Sequence, residues 1–127
     1  MTEIMIVEDE KELVELYEQF LTKGGYKIAF KAFNGKEAIE YYDRIKEYPD
    51  VILMDHRMPI KNGISACEYI LETNKKQQII FISADDSVKT EIERMGIKFL
   101  TKPFSFKLLV NIIENELLRG KKIVCAK

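Results

Sequence analysis

Cysteine is scarce in this chain. The two present, Cys67 and Cys125, lie too far apart for a metal-ligand pair and are too few for a disulfide framework. Cys67 falls in a helical pattern and reads as a small core residue. A reducing, cytoplasmic setting is the expectation. Charge of one sign is not in excess either. Lys and Arg number 20 against 21 Asp and Glu, for a net charge of -1, so no bulk pull toward nucleic acid or membrane is expected. No apolar run approaches membrane-spanning length. The opening "MTEIMIVEDE" reaches acidic residues too early for a secretory signal. Neither G-x-x-x-x-G-K-[ST] nor G-x-G-x-x-G occurs, which disfavours nucleotide binding. Internal repeats, low-complexity tracts and interdomain linkers are absent from the sequence.

What is present is an alternation of short apolar runs and amphipathic stretches, in 127 residues of which 46% are apolar. "EIMIV" reads as a first strand. "KELVELYEQFLTKGG" follows as a helix with Leu13, Leu16, Tyr17, Phe20 and Leu21 on one face and two glycines as its stop. In "YKIAFKAF", Ile28, Phe30 and Ala32 alternate with Lys27 and Lys31, which suggests an edge strand. Asn34 with Glu37 forms a capping-box-like start to a second helix running to about Glu47. "DVILMD" and "QIIFISA" read as buried strands. Between them "GISACEYILETN" is a helix with Ile64, Cys67, Ile70 and Leu71 inward. "DSVKTEIERMG" is a weak helix with only Val88, Ile92 and Met95 as its apolar stripe. "IKFLTKPF" is the fifth strand, and "SFKLLVNIIENELLRG" is the last helix, with Gly120 as its expected stop. Five βα units with short connections and continuous apolar strands predict a parallel sheet in a three-layer α/β domain over residues 1–120, with a short tail over 121–127.

In such sheets, sites form outside the carboxyl ends of the strands. That rim should carry Glu8 and Asp9 from the first strand, Asp55 from the third, Ser83 from the fourth and Lys102 from the fifth. Each has a plain structural use: Asp9 and Ser83 as helix caps, Asp55 as a turn former, Lys102 as a surface charge. Together these uses fit less well, because three carboxylates crowded on one rim repel unless positive charge sits among them. Lys102 supplies one such charge. A hard divalent cation such as Mg2+, which takes oxygen ligands, would supply the rest.

The pieces "IVEDE", "NGKEAIE", "DVILMDHRMPIKNG", "ISA" and "FLTKPF" occur in an order that resembles the response-regulator receiver domain, the phosphoacceptor module of two-component signalling. The resemblance spans residues 3 to about 118. It implies a flavodoxin-like (βα)5 fold with strand order 2-1-3-4-5, an order for which a receiver is itself the general example. It implies Asp55 as phosphoacceptor, Mg2+ held by Asp9, by Glu8 beside it, by Asp55 and by the backbone carbonyl of Arg57, and Ser83 and Lys102 on the phosphoryl oxygens. Phe99 matches the aromatic switch position. Arg57 and Asp85 border the path of the attacking water and form a possible gate. The implied partner is a histidine kinase or phosphotransfer protein, with a homodimer or effector on the fourth helix, fifth strand and fifth helix. Neither nucleic acid nor membrane is an implied direct partner.

Three features depart from the family pattern or leave it open. Glu8 stands where Asp is often found, and Ser83 where Thr is also common. His56, the single histidine, is expected to face solvent from the loop after Asp55. On the last helix, Leu108 and Ile112 fall off the main apolar stripe and read equally well as an exposed pair or as a widening of that stripe. Two other classes fit the sequence less well. A haloacid-dehalogenase-like hydrolase would need D-x-D after the first strand, and "VEDE" does not supply it. A phosphorylation-independent module would not need the full set Asp9, Asp55, Ser83 and Lys102.

Overall fold

Strand parity sorts the core into two layers. In a strand, successive side chains point to opposite faces. The computed structural model describes the backbone of residues 1–125 and side chains through Gly120. The elements are β1 (Glu3–Val7), α1 (Lys11–Lys23), β2 (Lys27–Ala32), α2 (Gly35–Arg44), β3 (Val51–Asp55), α3 (Gly63–Thr73), β4 (Gln78–Ser83), a 3-10 turn (Asp86–Val88), α4 (Lys89–Arg94), β5 (Lys98–Thr101) and α5 (Phe106–Cys125). All strand pairings are parallel and the order is β2-β1-β3-β4-β5. Val51 and Leu53 of β3 pack with Val14, Tyr17 and Leu21 of α1 and Leu109 and Ile113 of α5. Ile52 and Met54 pack on the other face with Tyr42 of α2, Cys67 and Ile70 of α3 and Ile92 of α4. This is the three-layer (βα)5 architecture the sequence predicts, with β2 at one edge. Among the described residues, no helix is long and apolar enough to cross a membrane.

Several local expectations are corrected. On α1, Val14 is buried while Leu16 and Phe20 are exposed, so the buried face is rotated from the one the apolar count suggested. Ile28 and Phe30 do not share a face. The β1–β2 register skips one residue, pairing Ile4 with Ile28 but Met5 with Phe30. This bulge at Ala29 sends Ile28 into the α1/α5 layer and Phe30 into the other. Asn34 does cap α2 by accepting from the Glu37 N–H at 2.8 Å, but α2 ends at Arg44, short of Glu47. On α5, Ile112 joins the core and Leu108 remains exposed. Gly120 is not a stop, since α5 continues to Cys125. A helix-interior glycine costs only about 1 kcal/mol relative to Ala, so it does not by itself end a helix. The side chains of the expected tail, 121–127, lie outside the described residues.

Candidate functional site

The carboxyl ends of β1, β3, β4 and β5 meet at one cavity of about 580 Å³. Asp55 is the last residue of the central strand β3 and Ser83 the last of β4; both are buried. Glu8 follows β1 directly and is 2% exposed, while Asp9 is half-buried. Lys102 follows β5, fixed by its N–H donating to the Ser83 carbonyl at 3.0 Å. Asp9, Asp55, Arg57, Ser83, Asp85 and Lys102 all line the cavity, so nearly every rim residue expected from sequence is brought together.

Electrostatics sets the character of the site. Ligand oxygens of Glu8, Asp9 and Asp55 lie within 4.8 Å of one another. Lys102 Nζ stands 3.2 Å from Asp55 Oδ1 and 3.4 Å from Glu8 Oε1. Burial pushes the Glu8 carboxyl up to about 7, aided by the Asp55 charge and opposed by the Glu10 N–H and Lys102. Burial also raises Asp55, against the pull of Lys102. Desolvation works against the Lys102 charge, yet the two carboxylates outweigh it and its pKa ends above the ordinary value. One ammonium therefore leaves the trio under-compensated, and two buried carboxyls with raised pKa values mark a site short of positive charge. An all-oxygen donor set of this kind suits a hard cation such as Mg2+.

The plain structural uses of these residues are not the ones found. Helix α1 is capped at Glu10 with no side-chain hydrogen bond, so Asp9 is not spent as a cap. The 3-10 turn is capped by Asp85, which accepts from the Ser87 N–H at 3.0 Å. Ser83 Oγ instead accepts from the Asp85 N–H at 3.0 Å. Arg57 reaches back across the mouth, its guanidinium 3.4 Å from the Asp85 carboxylate. The loop after β3 is tightly built. Lys61 N–H donates to Pro59 O at 2.8 Å around Ile60, whose φ is 72°, and Gly35 N–H donates to Lys61 O at 3.0 Å. A Cβ on Gly63 would overlap the Asp55 carbonyl oxygen, so only glycine fits there.

Phe99 does not line the cavity. It is buried on the α4 side, its ring 6.0 Å from that of Phe81. His56 is not the solvent-facing residue expected. It is half-buried, its ring 5.5 Å from Phe81 and its Nδ1 fully buried without a hydrogen-bond partner. Continuing the β3 parity past Asp55 would have placed it inward. Tyr17, a core residue by its helical spacing, also lines a narrow void together with Glu8 and Asp55. Glu10 and Asp86, which also line the cavity, carried no sequence signal of their own.

Comparison with known proteins agrees with this geometry. A family model described as "Response regulator receiver domain" matches residues 4–114. The chemotaxis protein CheY of Thermotoga maritima is 36% identical over 104 residues, covering 80% of this chain and 85% of that protein. The CheX–CheY complex of Borrelia burgdorferi with BeF3 and Mg2+ contains a chain that is 27% identical with a TM-score of 0.82, covering 89% of this chain and 87% of that one. The receiver domain of a sensor histidine kinase from Pseudomonas aeruginosa, with a magnesium ion coordinated in its active-site cleft, is 27% identical with a TM-score of 0.81, covering 91% of this chain and 97% of that one.

Proposed function

This chain belongs to the response regulator receiver family, and on that premise we propose that Asp55 accepts a phosphoryl group from the phosphohistidine of a histidine kinase or phosphotransfer protein in the cytoplasm. The observation that carries the reading is the placement of Asp55 on the central strand, among Glu8, Asp9, Ser83 and Lys102, at the floor of an open cavity.

An Asp55 carboxylate oxygen attacks phosphorus in line. The P–N bond of the donor breaks and a neutral imidazole leaves once its ring is protonated. Lys102 Nζ, already beside Asp55, takes up charge on the phosphoryl oxygens, and Ser83 Oγ donates to another of them. Glu8, Asp9, Asp55 and the Arg57 carbonyl would hold Mg2+, which when bound screens the incoming phosphoryl oxygens from the carboxylates. The product is an acyl phosphate, which water later attacks at phosphorus to release inorganic phosphate and restore the carboxylate. The rigid strand fixes the nucleophile, while the glycine at 63 lets the following loop fold closely over it. In this reading Phe99 and the α4–β5–α5 face carry the output to a second copy or an effector, through a shift between existing states.

The test is incubation with Mg2+ and a small phosphodonor, followed by intact mass spectrometry. One Mg2+-dependent phosphoryl adduct is expected on the natural chain and none on Asp55→Asn. Full labelling of Asp55→Asn overturns the assignment.

A further inference from the structure

His56 stands next to the reacting carboxylate but on the opposite layer of the sheet. Parity puts it on the side of Ile52 and Met54, where α3 and α4 cover the strands. There its ring begins a row of three: His56 to Phe81 at 5.5 Å, then Phe81 to Phe99 at 6.0 Å. Phe81 is fully buried and Phe99 nearly so. The row runs from the tip of β3 across β4 to β5, and thus connects the phosphoacceptor strand to the α4–β5 face.

Its first member carries a defect. Nδ1 of His56 is the one buried side-chain polar atom without a hydrogen-bond partner among the described residues. Buried polar atoms are almost always satisfied, and leaving one unpaired costs free energy in the state that leaves it so. That cost disfavours the present arrangement relative to any other that offers the atom a partner. The less anchored of the two helices covering that face is α4, in the β4–α4 segment. Helix α4 has only six residues, and Ile92 is the only one of them that is buried. The segment carries two exposed hydroxyls able to donate to an imidazole nitrogen: Thr90 and, once released from the Asp85 carboxylate to which it now donates, Ser87.

We propose that His56 biases the conformational equilibrium of this domain toward its switched state, because its buried Nδ1 is unpaired in the present state and gains a partner when the β4–α4 segment moves. The bias deepens the phosphoacceptor reading above and rests on it. His56 makes no contact with the phosphoryl group. It lowers the free-energy gap that phosphorylation at Asp55 must close.

The test uses the full chain with two substitutions. His56→Leu keeps an apolar side chain of similar size and removes the unpaired atom. His56→Asn keeps a polar atom within reach of the Nδ1 position. Metal-free His56→Leu should unfold at higher denaturant than the natural chain. With Mg2+ it should bind beryllofluoride, a phosphoryl mimic, about tenfold more weakly, equivalent to about 1.4 kcal/mol. Its Mg2+ affinity alone should be unchanged, and hydrogen exchange across residues 84–101 should respond less to beryllofluoride. His56→Asn should bind beryllofluoride like the natural chain. Lower stability of His56→Leu, unchanged beryllofluoride affinity, or an equal loss in His56→Asn overturns the proposal. Failure of the natural chain itself to bind beryllofluoride would instead count against the phosphoacceptor reading, and the stability comparison would still decide the role of Nδ1.

Discussion

Lys102 Nζ lies 3.2 Å from Asp55 Oδ1, so without a metal the proposed nucleophile is held by the ammonium that would later hold its phosphoryl group. The same ammonium is 3.4 Å from Glu8. Lys102→Ala leaves two buried carboxylates facing each other with no counter-charge. Removing one partner of a buried pair costs about 3–5 kcal/mol, and the partial exposure of Lys102 reduces that to about 2. The expected outcome is a metal-free protein about 2 kcal/mol less stable that binds Mg2+ more tightly than the natural chain, because the competing cation is gone. Denaturant melts with chelator and with Mg2+, beside calorimetric titration, measure both. Weaker Mg2+ binding by Lys102→Ala would show that the lysine does not compete for this site.

Glu8 gives the metal-free protein a pH dependence of defined sign. Its folded pKa is raised from 4.5 to about 7, first by burial and then by Asp55. Between those values the folded state binds the proton more readily than the unfolded chain does. Its contribution is therefore full below the unfolded value and is lost as pH rises through about 7. With chelator present, stability should fall from pH 5 to pH 7, and Glu8→Gln should flatten that slope. Mg2+ needs the carboxylate form, so its affinity should rise with pH up to about 7 and its binding should release protons. Titration in buffers of different ionisation enthalpy reads the proton count.

Some of this site could be read from the chain and some could not. The rim residues were legible because βα alternation alone fixes which strand ends share an edge. The acidic trio followed from placing Glu8, Asp9 and Asp55 there. The inward turn of His56 was hidden by treating the loop as beginning at His56, although strand parity runs one residue past Asp55. The bulge at Ala29 left no mark, since "KIAFKA" alternates as well with it as without it. On α1 the outward Leu16 and Phe20 were indistinguishable by spacing from core, because a helix with apolar residues on two adjacent faces does not declare which one is buried. Gly120 looked like a stop because composition shows a glycine but not the backbone angles that would end a helix.

Two positions between Asp55 and the first turn of α3 should respond oppositely to substitution. Ile60 is exposed, with φ at 72° in a tight turn, a region β-branched residues disfavour. Ile60→Asn loses no core and relieves that conformation, for an expected gain of about 0.5–1 kcal/mol. Gly63→Ala must push its Cβ against the Asp55 carbonyl. Backbone on backbone has no soft side to yield, so a loss of about 2–3 kcal/mol is expected, together with displacement of Asp55. Denaturant melts of both variants check the pair. A neutral Gly63→Ala would mean that the loop moves freely, and the rigid placement of the nucleophile would then need another cause.

Arg57 and Asp85 bridge the tips of β3 and β4 at 3.4 Å, across the mouth through which water must reach an acyl phosphate. Asp85 is also fixed by accepting from Ser87, through both its N–H and its hydroxyl. Its pKa is lowered by those two bonds ahead of Arg57. The Arg57 side chain is 80% exposed, so the pair is weak in itself and screened by salt. In the proposed gate any effect on lifetime is steric, with the paired side chains standing on the approach line of the attacking water. Arg57→Ala and Asp85→Ala should each shorten the acyl-phosphate half-life in Mg2+ severalfold, and the double variant should be no faster than the faster single one. Asp85→Asn separates the causes, because it keeps the bond from the Ser87 N–H but loses the charge that holds Arg57. It should resemble Asp85→Ala if pairing closes the mouth, and the natural chain if turn capping alone matters. The gating effect should also shrink as salt is raised. Half-lives equal across all four variants at low salt would show that the bridge does not gate water, and that lifetime is set by Asp9, Ser83 and Lys102 around the phosphoryl group.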